Sequence, residues 1–84
     1  MNESFATRFF ARHPEIKARV MASEEFAAWR DRFRTVTVDE KSYHLVGGDM
    51  LRDSDEIALD WARQHGLVSQ EDVDRLHHDE QQKE

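Results

Sequence analysis

Apolar positions recur at helical spacing towards both ends of the chain and alternate only in its middle. Phe5 and Phe9 stand one turn apart in a segment, Asn2 to His13, that reads as a short helix. Phe9 and Phe10 are adjacent, and neighbouring helical positions point in different directions, so one of the two rings is expected to be exposed. His13-Pro14 ends this helix, because a residue before proline is pushed out of the α region. Pro14 suits the first position of a second helix, with Glu15 near its positive end. Ile16 and Val20 make one stripe; Ala22, Phe26, Trp29 and Phe33 make another, turned by about 100° on a helical wheel. That shift predicts a break at Met21–Ser23 and a new helix capped by Ser23 that runs to Phe33. One curved helix over 14–33 is the alternative.

The β signal follows. Thr35-Val36-Thr37-Val38 alternates, and so does Ser42-Tyr43-His44-Leu45-Val46. A turn at Asp39–Ser42 would pair Val38 with Tyr43 and Val36 with Leu45, gathering four apolar side chains on one face. A two-stranded hairpin is marginal alone, so this face is expected to pack on the helices. Gly47-Gly48-Asp49 is read as the end of the pairing.

Beyond the hairpin, Asp53 or Ser54 caps a helix whose face is Ile57, Ala58, Trp61, Ala62 and His65. Gly66 supplies a left-handed stop with Leu67 folding back. Ser69 then caps a last helix, with Val68 and Val73 as a hydrophobic staple and Val73 and Leu76 facing inward. Residues 77–84 read as a frayed polar tail. The pattern predicts an α+β fold: a mainly helical small single domain over residues 1–76, with one two-stranded antiparallel β-hairpin between N-terminal helices and a C-terminal helix pair.

Composition supports folding and narrows chemistry. The 84 residues include eight aromatics, enough apolar surface to offset ordering entropy. No apolar run approaches the roughly 20 residues of a membrane span, and the N-terminus lacks the apolar stretch of a signal peptide. With no cysteine, the chain offers no disulfide, thiolate nucleophile or cysteine zinc site, and a cytoplasmic location is expected. The net charge of −6 is uneven: residues 1–35 carry seven bases and five acids, whereas residues 36–84 carry five bases and thirteen acids. The acidic second half argues against contact with phosphate backbones.

Candidate chemistry is correspondingly thin. Ala62, Gly66, Val73 and Leu76 suggest a degenerate helix-turn-helix over residues 57–76. Its second helix, however, holds Glu71, Asp72, Asp74 and Asp79 against Arg75, which would repel DNA. An ordinary helix corner explains the same residues. Asp74 and His78 could place two metal ligands on one helix face, but no third ligand is evident. The acids Asp49, Asp53, Asp55, Glu56 and Asp60 miss the calcium-loop pattern, with Ser54 where that loop has glycine. Asp39, Ser42 and His44 have a triad's composition without nucleophile geometry, and Gly47-Gly48 is too short to cradle phosphate. Neither catalysis nor a cofactor is expected.

What remains is a protein-interaction module: an adaptor, a regulator, or an inhibitor that could act as an acidic decoy of nucleic acid. Its candidate surface comprises the basic strip Arg30, Arg32 and Arg34, the acids Asp49, Asp53 and Asp55, and anchors at Phe10 or Tyr43. The hairpin's open edges suit a protein partner or a second copy of the chain. DNA binding through residues 57–76 is the alternative function.

Overall fold

The computed structural model describes residues 3–47 and 50–82 as an α+β fold with five helices and a three-stranded sheet. The order is α1 (Phe5–Arg12), α2 (Pro14–Met21), α3 (Glu24–Arg30), β1 (Arg34–Val38), β2 (Lys41–Val46), β3 (Met50–Asp53), α4 (Ser54–Gln64) and α5 (Gln70–Gln82).

Short polar side chains set the helix starts. Ser4 Oγ accepts from the Thr7 N–H at 3.2 Å, and Ser23 Oγ from the Phe26 N–H at 3.2 Å. Residues 14–33 therefore form two helices, broken at Ala22–Ser23; the second ends at Arg30, and a turn carries Asp31–Phe33 to the sheet. Asp53 begins α4 with a reciprocal capping box: its carboxylate accepts from the Glu56 N–H, and Glu56 Oε1 accepts from the Asp53 N–H. Gly66, at φ +75°, closes α4: the Leu67 N–H reaches the Ala62 carbonyl and the Gly66 N–H the Arg63 carbonyl. Ser69 caps α5 through the Asp72 N–H.

The core centres on α4, which touches α1, α2, α3, β2 and β3. Ala58 and Ala62 are fully buried small residues one turn apart that let neighbouring helices approach closely. Around them pack Phe9, Val20, Phe26, Ile57 and Trp61, joined from α5 by Val73 and Leu76. Phe10 is buried as well, at 3% exposure, and its ring meets Phe9 edge-on. The expectation of one exposed ring fails because α1 is covered on more than one side. The tail also departs from expectation. Residues 77–82 continue α5, which is tied to α1 by Arg8–Glu80 and Arg12–Asp79 ion pairs and by stacking of His77 on Phe5 at 4.1 Å.

The sheet corrects the sequence reading in three ways. Met50–Asp53 adds a third strand, antiparallel to β2, so the hairpin is not two-stranded. This four-residue strand ends in two charged residues and has no alternation to reveal it. The register differs too: Val38 pairs with Lys41, Val36 with Tyr43 and Arg34 with Leu45. Asp39 and Glu40 form a two-residue turn with φ +51° and +67°, as the right-handed strand twist favours even without glycine. A shift of two residues leaves the faces unchanged, so Val36, Val38, Tyr43 and Leu45 still share one.

The third correction concerns which face is covered. His44 and Val46 lie on the other face. His44 is 7% exposed, Val46 packs on the core, and from the same face Arg52 donates to Asp60 of α4 at 3.0 Å. The helices thus cover the His44 face and leave the Val36–Tyr43–Leu45 face outward. The physical reason is connectivity: β3 runs directly into α4, and a short turn links α3 to β1, so the chain entry points decide the sheet's orientation.

Candidate functional site

The outer sheet face is built from three strands in register. Arg34, Leu45 and Leu51 lie side by side at one end, Val36, Tyr43 and Asp53 cross the middle, and Val38 faces Lys41 beside the turn. Val38 and Leu51 are 41% and 42% exposed; Val36, Tyr43 and Leu45 are half-buried and are not among the residues packed on the core. Five apolar side chains therefore form a contiguous patch on a chain of strongly negative charge. Arg34 and Lys41 stand on its rim, and neither has an ion-pair partner among the described residues.

The predicted site residues distribute unequally. Arg34 belongs to this face. Arg32 is exposed in the preceding turn, whereas Arg30 lies 5.4 Å from the centre of the Phe26 ring and is half-buried. Phe10 is in the core and is no surface anchor. Asp49 lies outside the described residues.

Tyr43, Asp53 and Asp55 come together along an open groove of about 430 Å³ between the sheet end, the start of α4 and the chain before α1. Its polar groups already have structural duties. Asp53 is the α4 cap, and Asp55 accepts from the Thr7 hydroxyl at 2.9 Å and pairs with Lys17 at 3.2 Å. The described residues contain no group of three or more His, Asp or Glu side chains arranged to hold a metal ion.

His44 sits beneath the sheet. Its Nε2 lies 3.2 Å from Ser54 Oγ, and its Nδ1 is buried with no partner. Burial first, then the nearby Arg30 charge, hold its pKa below the ordinary imidazole value, against an opposing pull from Asp53. His44 and the exposed Ser42 form no hydrogen bond, so the sequence-level triad is not assembled. His65 is exposed and stacks on Trp61 at 4.1 Å instead of facing the core.

Val36, Val38, Leu45 and Leu51 were not among the predicted site residues. Alternation marked the first three as one face, but an apolar face by itself does not say whether helices or solvent lie across from it. Leu51 carried no strand signal.

No protein-family model, curated protein or solved structure matches this chain. None of the described helices is long and apolar enough to cross a membrane.

Proposed function

We propose that this protein is a small non-enzymatic protein-interaction module, acting as an adaptor, regulator or inhibitor of a larger protein through the outer face of its sheet. The observation that carries the reading is the placement of Val36, Val38, Tyr43, Leu45 and Leu51 away from the core. A contiguous apolar patch with a charged rim is the usual composition of a docking surface: apolar centre for affinity, rim charges for orientation. Arg34 and Lys41 would orient a partner with acidic groups at its rim.

DNA reading by residues 57–76 has less support. Glu71, Asp74 and Arg75 are exposed on α5, and on its other side Asp79 and Glu80 are engaged by the arginines of α1. A helix with this charge balance repels phosphate.

The test is capture from source-cell lysate by the tagged protein, with and without nuclease, alongside Val38→Glu and Leu51→Glu. The expected result is a stoichiometric protein that survives nuclease and is lost at least about tenfold with both variants, each folded by circular dichroism. Capture that vanishes with nuclease would favour the nucleic-acid reading. Capture unaffected by either variant would remove the outer face from the proposal. Arg34→Glu should weaken capture less, about two- to fivefold, and mainly at low salt.

A further inference from the structure

Between Arg34 and Asp53, among the described residues, no apolar side chain is buried; the side chain that is buried there belongs to His44. It stands where the sheet meets the helices. Its Nε2 lies 3.2 Å from Oγ of Ser54, the first residue of α4, and its Nδ1 is enclosed without a partner. A neutral imidazole tolerates this site, since one ring nitrogen carries no proton and the other can meet the hydroxyl.

A proton changes the balance. Both nitrogens become donors, the ring carries a charge, and an enclosed N–H at Nδ1 has no acceptor. The surroundings supply none. On β3, Arg52 stands beside His44 on the same face; Asp53 attracts a cation, but it belongs to the outer face and is held as the α4 cap. From α3 the Arg30 charge opposes a cation, and Thr35, the cross-strand neighbour on β1, is uncharged. The acids in the first two turns of α4 are engaged: Asp55 with Thr7 and Lys17, Glu56 with the Asp53 N–H, and Asp60 with Arg52. The start of α4 is also the positive end of its helix dipole.

From this arrangement we infer that His44 is a pH-sensitive latch, whose protonation lifts the three-stranded sheet off α4 while the helical core stays packed. Lifting is local because the core does not need the sheet. Phe9, Val20, Phe26, Ile57 and Trp61 pack helix against helix. Apart from His44, the sheet holds to them through Val46 and the partly exposed Arg52–Asp60 pair. The chain joins the two parts at the turn Asp31–Phe33 and at the β3–α4 junction, where a lifted sheet would pivot.

Once released into water the imidazole titrates near 6.5, so opening takes up a proton and becomes more favourable as pH falls below that value. The depression of the enclosed ring's pKa, by burial first and Arg30 next, has the sign this requires. The latch acts whatever docks on the outer face, and either role can fail without the other.

Amide hydrogen exchange of the full chain, followed by NMR at pH 7.5 and 5.5 and corrected for intrinsic exchange rates, tests the latch. Protection of Tyr43 to Val46 should fall about three- to tenfold more than that of Phe26 and Ile57. His44→Gln keeps a polar end towards Ser54 without a titrating group, and His44→Leu fills the site without one. In whichever of the two folds, the difference should shrink to within about twofold. Equal loss in sheet and helices overturns the inference, because opening is then global. So does a wild-type sheet whose protection is unchanged at pH 5.5, or a selective loss that persists without His44.

Discussion

In the helical part of the molecule the apolar side chains point at one another: Phe9, Val20, Phe26 and Ile57 are the largest to lose all contact with solvent. In the sheet the ordering is reversed. The side turned to the helices offers His44, Val46 and Arg52, while Val36, Tyr43, Leu45 and Leu51 are gathered on the side turned away. The helices are held by burial. The sheet is held by its ladders, a tight turn, the Val46 contact, the Arg52–Asp60 pair and the His44–Ser54 contact. The contrast teaches that a domain this small can bury its apolar side chains in one region and display them in another. Substitutions should then separate by region more than by residue type.

The sharpest break of this contrast would come from Phe26. Truncation to alanine should remove about 3–5 kcal/mol, a large part of the roughly 4–12 kcal/mol expected for a chain of this length. Urea unfolding followed by circular dichroism reads this directly, and a loss below about 1 kcal/mol would mean the core is not centred where Phe26 packs.

Next in size are the helix ends. Asp53→Ala deletes the side-chain half of the capping box between sheet and core, and should cost about 1 kcal/mol. Gly66→Ala meets no atom within 4 Å but must adopt φ +75°, so a penalty of about 1 kcal/mol or slightly more is expected from backbone strain alone. If Gly66→Ala proves neutral in thermal unfolding, the left-handed stop is not required.

A smaller effect should appear on acidification. The native pKa of His44 is depressed, so the folded protein binds its proton less readily than the unfolded chain, whose histidine titrates near 6.5. Its contribution is fully present above that pH and is lost as pH falls through the depressed native value. Comparing wild type with His44→Gln by urea unfolding between about pH 7.5 and 5 should show a steeper decline in the wild type. Asp79 and Glu80 act in a separate, lower window: hydrogen bonds from Arg12 and Arg8 hold their pKa values down, and that stabilisation is lost as pH drops through the carboxylate range. The smallest change should follow Val38→Thr on the outer face, within about 0.5 kcal/mol. A larger loss would show that the outer face supports folding after all.

Much of this architecture was legible in local chemistry. The break after Met21, the Ser23 cap, the Asp53 start of α4, the Gly66 stop and the burial of Val68 and Val73 all follow from residues within a few positions of one another. Of the candidate site, Arg34 and Tyr43 were found on the outer face, and Asp53 was found on it in the service of a helix. Phe10 was misplaced, because adjacency on a helix says nothing about how many neighbours surround it. β3 was missed, because four residues with a charged end acquire strand geometry only by pairing with β2.

The amino-acid order alone determined where helices begin and end, which residues share a face, and that the chain has enough aromatic surface to fold. These are decided by backbone sterics and by hydrogen bonds between near neighbours, which recur wherever the same short pattern occurs. Only the tertiary structure decided that Phe10 is enclosed, that Met50–Asp53 becomes a strand, and that the apolar side of the sheet looks outward. Each depends on contacts between segments distant in the chain, and burial is a property of what lies across from a residue.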